Sequence, residues 1–175
     1  QIISTHGGSL RVFLKNEKSV KKINEEKIDE ILKEEKNYFY KSPKTYLNLQ
    51  KNALTAKLKL IEFLVNSKNK NKKVIAYGAA AKGNTLLNYS GIKSDLLPYV
   101  IDKAKSKQGS YLPGSHILVT DINIIKKIKP DIIIILAWNI IDEVMRELIE
   151  FKNIEFYVAI PKLTKIKKNK DDRQN

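Results

Sequence analysis

Short apolar segments alternate with helical patterns through the second half of this chain, and this alternation restricts the possible folds more than any other feature. Residues 74–77 read VIAY and residues 132–137 read IIIILA, and each segment is followed by a stretch with helical spacing. Strands that are buried on both faces have this composition, because helices cover both sides of a parallel sheet. The pattern therefore predicts an α/β fold with a twisted, mainly parallel sheet of about five strands and helices on both faces.

The patterns also place the elements of this sheet along the chain. Strands are expected at residues 74–77, 99–101, 117–119, 132–137 and 156–160, with helices at 82–89, 121–128 and from 139 onward. The segment 132–137 is the most apolar of these strands, so we expect it at the centre of the sheet.

Two helical stripes precede the sheet. One covers residues 17–36, and the other covers residues 43–66 with the stripe Leu47, Leu54, Leu58, Ile61 and Val65. Amphipathic helices bury their apolar faces, so we expect these two to pack as a pair. The expected divisions are a strand in 1–15, the helical pair and linker in 16–72, the α/β domain in 73–161 and a basic tail in 162–175.

The charge of the chain is strongly positive but does not predict nucleic-acid binding. The 33 Lys and Arg outnumber the 19 Asp and Glu, for a net charge of +14, yet only three of the cations are Arg. Recognition of bases and phosphates favours the guanidinium group, so we expect no nucleic-acid partner. Residues 41–73 hold nine lysines and one acid, which leaves open a scaffold whose basic helical pair recruits an acidic partner.

Several classes of protein are disfavoured by what the sequence lacks. Without Cys, and with two His far apart, it offers no thiolate zinc site, disulfide or Cys nucleophile, and we expect no metal. The longest apolar run, 132–138, is far shorter than the roughly 20 residues that span a bilayer. We expect a cytoplasmic protein without a membrane partner, and, since the chain starts at Gln1 and not at Met, a piece of a longer one.

A glycine-containing loop between the first strand and first helix of the sheet is the strongest candidate for a ligand site. It reads Gly78-Ala-Ala-Ala-Lys82-Gly83-Asn84-Thr85. In a Rossmann-like fold this turn lies at the carboxyl edge, where small residues and free amides at a helix start attract phosphate. Ala80 departs from the dinucleotide motif and Asn84 from the P-loop motif.

Further candidates follow the other strands at the same edge. Asp102 lies where a ribose-binding acid would be found in a dinucleotide fold, although an acid after a strand is also a common turn former. Lys82 either contacts phosphate or is solvated. Trp138 lines the cleft or completes the core, Asn139 binds a ligand or caps its helix, and Tyr77 stacks on a ligand or is simply half buried.

Several blocks, taken together and in order, resemble the C-terminal domain of sugar C-methyltransferases that use S-adenosylmethionine. These are His6-Gly-Gly-Ser-Leu-Arg11, the loop from Tyr77 to Tyr89, Asp102, Lys107-Gln-Gly109, Leu112-Pro-Gly114, Pro130-Asp131, Trp138-Asn139 and Glu143. Two departures are Ala80, where the family has Pro, and Leu118-Val119, where it has Pro-Ile.

The resemblance implies a role in methylating a carbon of a nucleotide-linked keto-deoxysugar. Family members carry a zinc-binding domain and a methyl-donor domain ahead of this region, so this fragment alone is expected to be inactive and to bind no cofactor. Residues 1–15 would be the last strand of the methyl-donor domain. The alternative is a stand-alone Rossmann-like module that binds a nucleotide or dinucleotide without catalysis.

The same resemblance suggests roles for individual residues. His6 is an auxiliary candidate for proton transfer or sugar binding, or it merely caps a turn. Arg11 binds pyrophosphate or forms an ion pair. The expected substrate-binding residues are Arg11, Tyr77, Gly78, Lys82, Gly83, Asn84, Thr85, Asp102, Lys107, Trp138 and Asn139.

Overall fold

The computed structural model describes residues 1–3, 8–37 and 42–167. The chain forms two compact units, Gln1–Ala53 and Leu54–Asn175. The divisions after residues 15, 72 and 161 stay predictions.

The first unit contains a small antiparallel pair and one helix. β1 (Ile2–Ile3) pairs with β2 (Ser9–Leu10), so the expected lone strand has a partner within its own segment. α1 (Glu25–Asn37) starts later than its apolar pattern suggests, because the Asn24 side chain accepts the Lys27 amide at 3.0 Å and caps the helix. No residue of α1 is buried, and its packing with a second helix stays a prediction.

α2 (Pro43–Asn69) buries a different face from the one that the sequence indicates. Its buried residues are Ala56, Leu60, Leu64 and Ser67. The expected stripe is instead largely exposed, with Leu54 at 45%, Leu58 at 55% and Val65 at 39%. Both sets have the spacing of one face of a helix, so spacing alone does not identify the face that meets the core.

A six-stranded sheet forms the centre of the second unit, in the order β5-β4-β3-β6-β7-β8. Its strands are β3 (Val74–Tyr77), β4 (Tyr99–Ile101), β5 (Leu118–Thr120), β6 (Ile132–Ile135), β7 (Glu155–Val158) and β8 (Thr164–Ile166). The first five are parallel, which confirms the expected strands and the central place of β6. β8 is antiparallel to β7 and lies in the segment expected to be a basic tail.

Helices cover both faces of this sheet, as expected. One face packs against α2 and α3 (Ala81–Ser90), and the other against α4 (Ile124–Ile128) and α5 (Ile141–Glu147). A 3-10 turn, Trp138–Ile140, precedes α5, whose N-cap is Ile140. The reading of Asn139 as the N-cap was therefore wrong, because the chain makes this tight turn before the helix starts.

Candidate functional site at the sheet switch point

The centre of the sheet contains the topological feature at which α/β proteins bind ligands. β4 and β5 extend the sheet on one side of β3, and β6 and β7 extend it on the other. This is the strand order of a doubly wound Rossmann-type sheet, whose crevice lies beyond the carboxyl ends of the strands where the order reverses. Here the crevice lies between the loop after β3 and the loop after β6.

Two glycines allow these loops to come close together. Gly78 has a φ of +101°, and a Cβ placed on it would lie 2.9 Å from the Ala137 Cβ. A Cβ on Gly83 would lie 2.8 Å from the Leu136 Cβ. Both glycines are therefore required by close packing of the β3–α3 connection against the end of β6, and their contact with a ligand stays a prediction.

Lys82, Trp138 and Asn139 meet across the crevice. The Lys82 Nζ donates a hydrogen bond to the Asn139 Oδ1. The same Nζ lies 5.1 Å from the centre of the Trp138 ring, within the range of a cation–π interaction. The fold thus brings Lys82 into contact with two candidates that lie 56 and 57 positions after it in the sequence.

Asp102 and Lys107 hold the glycine loop from the side of β4. The Asp102 Oδ2 accepts the Ala79 amide at 2.8 Å, and its Oδ1 accepts the Ala104 amide at 2.9 Å. The Lys107 Nζ lies 3.1 Å from the Asp102 Oδ2 and donates to the Ala79 carbonyl oxygen at 3.0 Å. The Asp102 side chain is 13% exposed and that of Lys107 is 45% exposed.

Tyr77 faces the opposite side of the sheet from α3. It is buried in the cluster that includes Val144 of α5, and its hydroxyl donates to the Glu147 Oε2. Burial, and then the hydrogen bond to Glu147, raise the pKa of Tyr77 above its usual value. Lys103 lies 2.8 Å from Glu147. Sequence reasoning did not find Glu147 or Lys103; the available signal was that a buried tyrosine hydroxyl needs a partner.

Asn84 and Thr85 make local contacts within α3. The Asn84 Oδ1 accepts the Asn88 Nδ2 at 3.1 Å, and the Thr85 hydroxyl donates to the Ala81 carbonyl oxygen at 3.0 Å. Asn88, which sequence reasoning did not single out, also donates to the Pro113 carbonyl oxygen at 3.0 Å and so connects α3 to the 112–114 turn.

The two candidates from the start of the chain, His6 and Arg11, precede the α/β unit in the sequence. Arg11 belongs to the first unit, where its amide donates to the Gln1 carbonyl oxygen at 2.8 Å. His6 lies outside the described residues.

Two other kinds of feature are absent from residues 1–3, 8–37 and 42–167. No three His, Cys, Asp or Glu side chains in these ranges come together as a metal-binding group. None of the helices in these ranges combines the length and apolar character that crossing a bilayer requires.

A curated protein and a solved structure are among the known proteins to which this chain is similar. The C-methyltransferase NovU of Streptomyces niveus is 28% identical over 158 residues, which cover 89% of this chain and 37% of NovU. The chain thus spans well under half of that relative's length. The crystal structure of UDP-D-quinovosamine 4-dehydrogenase from Vibrio fischeri is 19% identical, with a TM-score of 0.41, over 55% of this chain and 93% of the other.

A family model gives the broadest match. The model described as "C-methyltransferase C-terminal domain" matches residues 4–161. This range includes the glycine loop, Asp102, Lys107 and Trp138-Asn139. The chain therefore belongs to the family of C-methyltransferase C-terminal domains.

Proposed function

We propose that this chain is the substrate-side domain of an S-adenosylmethionine-dependent C-methyltransferase and that it holds a nucleotide-linked keto-deoxysugar. The substrate's diphosphate lies in the crevice between β3 and β6. The family match and the NovU similarity support the enzyme class. The observation that carries the proposed site is the meeting of Lys82, Trp138 and Asn139 at the switch point of the sheet.

The chemistry of the crevice suits a diphosphate. α3 starts at Ala81, so the amides of its first turn have no acceptor within the helix and favour an anion. The ammonium groups of Lys82 and Lys107 come from different elements to the edges of the same loop. A lysine ammonium has three donors, so each retains hydrogen-bonding capacity for phosphate oxygens.

The remaining chemistry is assigned to other domains of a longer cytoplasmic protein. Methylation of carbon next to a ketone requires a general base to remove a proton, and we place that base, the methyl donor and the zinc-binding domain outside this chain. The crevice does not fit the ribose of S-adenosylmethionine through Asp102, because three donors already occupy its carboxylate. The fragment alone is therefore proposed to be inactive, with substrate binding as its contribution.

Binding of thymidine diphosphate, followed by fluorescence, tests this proposal. Trp138 is the only tryptophan of the chain, so its emission reports directly on the crevice. Lys82→Met should raise the Kd about tenfold or more, because a charge-assisted hydrogen bond contributes about 1.5–3 kcal/mol.

Lys93→Met, at an exposed lysine beyond α3, is the matched control and should leave the Kd unchanged. Equal affinities of the wild type and Lys82→Met would contradict the proposed site.

A further inference from the structure

The first two residues of the loop that was expected to offer free amides to a phosphate already have hydrogen-bond partners within the protein. Both polar backbone groups of Ala79 have partners: its amide donates to the Asp102 carboxylate, and its carbonyl oxygen accepts from Lys107. The preceding amide, that of Gly78, donates to the Ile101 carbonyl oxygen at 2.7 Å. The first two residues of the loop are therefore fixed before any ligand arrives.

The carboxylate of Asp102 has little capacity for another ligand. It accepts from the Ala79 amide, the Ala104 amide and the Lys107 ammonium group, all within 3.1 Å. A carboxylate has about four acceptor positions, and a ribose diol requires two of them for the paired contact made in dinucleotide folds. A ribose could occupy this place only by displacing Lys107 or a backbone amide.

The segment that contains this pair is itself anchored. The Gln108 side chain donates to the Asp102 carbonyl oxygen at 2.9 Å, and the Gly109 amide donates to the Val119 carbonyl oxygen at 2.9 Å. Lys107 thus extends from a turn that is held at the end of β4 and beside β5. This arrangement limits the conformations that the Asp102–Lys107 pair can adopt, which is a requirement for positioning another loop.

We infer that Asp102 and Lys107 form a clamp that presets the glycine loop, and that Asp102 is a positioning residue and not a ribose ligand. The clamp leaves the first turn of α3, Lys82 and the third donor of Lys107 as the anion-binding part of the crevice. It favours a nucleoside diphosphate over a dinucleotide, because the acid that binds a ribose hydroxyl in dinucleotide folds is already occupied here. This inference rests on the proposed function only for the identity of the ligand.

Hydrogen exchange of the Ala79 amide, measured by NMR without ligand, tests the clamp directly. Asp102→Ala removes the acceptor of this amide, and we expect its exchange to accelerate at least tenfold. Asp121→Ala is the matched control, because Asp121 follows β5 as Asp102 follows β4, but its carboxylate accepts the nearby Asn123 amide at 2.7 Å and not an amide of the glycine loop. Unchanged protection of Ala79 in Asp102→Ala would overturn the clamp.

Affinity for thymidine diphosphate, measured well below the melting temperature, separates positioning from simple structural support. Asp102→Ala and Lys107→Met should each raise the Kd at least fivefold, whereas Asp102→Asn, which keeps an acceptor oxygen, should recover part of the loss. Lys105→Met, an exposed neighbour in the same turn, is the control for Lys107. Unchanged Kd values in folded Asp102→Ala would overturn the positioning role.

Titration with NAD⁺ tests the selectivity. We expect no binding at millimolar concentration, and NAD⁺ that competes with thymidine diphosphate would overturn the inference. A wild-type chain that binds no thymidine diphosphate would contradict the proposed function instead, and the Ala79 exchange data would still decide whether the clamp exists.

Discussion

Gly83 occupies a position in α3 where even one additional carbon has no space. A Cβ there would lie 2.8 Å from the Leu136 Cβ and 3.4 Å from the Gly78 carbonyl oxygen. These neighbours belong to the backbone or to the first atom of a side chain, so they cannot rotate away. The distance between α3 and the end of β6, and hence the width of the crevice, depends on this residue.

We therefore predict that Gly83→Ala destabilises the protein. Overpacking of this kind costs about 1–3 kcal/mol, which exceeds the gain in helix propensity of about 1 kcal/mol. Urea unfolding measures the change. Thr85→Ala, two residues further along α3 and exposed, should change the free energy of unfolding by less than about 0.5 kcal/mol. A Gly83→Ala variant as stable as the wild type would show that α3 is free to move outward.

Tyr77 provides a second prediction for a single residue. Tyr77 is buried and its hydroxyl donates to Glu147, and removing one such bond to a charged partner costs about 1.5–3 kcal/mol. Tyr77→Phe should lower the free energy of unfolding by this amount near pH 8. Tyr111→Phe, at an exposed tyrosine, is the control and should leave the free energy of unfolding nearly unchanged.

The same residue predicts a pH dependence. Burial raises the folded-state pKa of Tyr77 above the unfolded value of 10.0. The contribution of its protonated hydroxyl to the free energy of unfolding is therefore complete below about pH 10 and is lost as the pH rises further. The difference in the free energy of unfolding between the wild type and Tyr77→Phe, measured by urea unfolding, should therefore decrease above pH 10. A difference that stays constant from pH 8 to 11 would contradict a raised pKa.

β8 is the element that most changes the expected edge of the sheet. It contributes three residues opposite β7, with Ile166 paired to Phe156 and packed against the core cluster on that face of the sheet. Residues 162–167 read KLTKIK, in which the two apolar residues are separated by two polar ones, so no alternating pattern was visible in the sequence. An edge strand needs only one partner and one apolar contact, which explains why composition did not indicate it.

Truncation after Leu163 tests the contribution of β8. Loss of three ladder residues and of the partly buried Ile166 should lower the free energy of unfolding by about 1–2 kcal/mol. Truncation after Lys167, which retains β8, is the control and should leave urea unfolding unchanged. Equal unfolding midpoints for the two truncations would mean that β8 adds nothing to the stability of the sheet.

The strongly apolar strands were the elements that the sequence predicted best. β3 and β6 were found within two residues of their expected bounds, because buried parallel strands have a composition that few other elements share. Helix starts were less accurate. α1 begins at its Asn24 cap and α5 begins after a 3-10 turn, and both features depend on local hydrogen bonds that apolar spacing does not encode.

At the scale of the whole molecule, the sequence predicted the crevice better than it predicted the contacts within it. The order of the strands places the ends of β3, β4 and β6 at one edge, so candidates from all three come close. The partners of Asp102 and Tyr77 are separated from them by up to 70 positions, and only the fold reveals which polar groups they satisfy.

The change in Tm on adding each ligand tests whether this chain binds the nucleotide part of the proposed substrate and not the proposed methyl donor. Thymidine diphosphate at about one hundred times its Kd should stabilise the folded chain by about 2.7 kcal/mol, a Tm increase of about 5–10 °C. S-adenosylmethionine at the same concentration should leave the Tm unchanged, because its site is proposed to lie outside this chain. A clear rise with S-adenosylmethionine, measured by differential scanning fluorimetry, would contradict that division.

An NMR titration of the ¹⁵N-labelled chain with thymidine diphosphate tests the location of the site most directly. The account predicts that the largest shifts occur at the amides of Ala81, Lys82 and Gly83 and at the Trp138 indole. Shifts confined to the basic segment 41–73, or none at saturating ligand, would contradict a nucleotide-sugar site between β3 and β6.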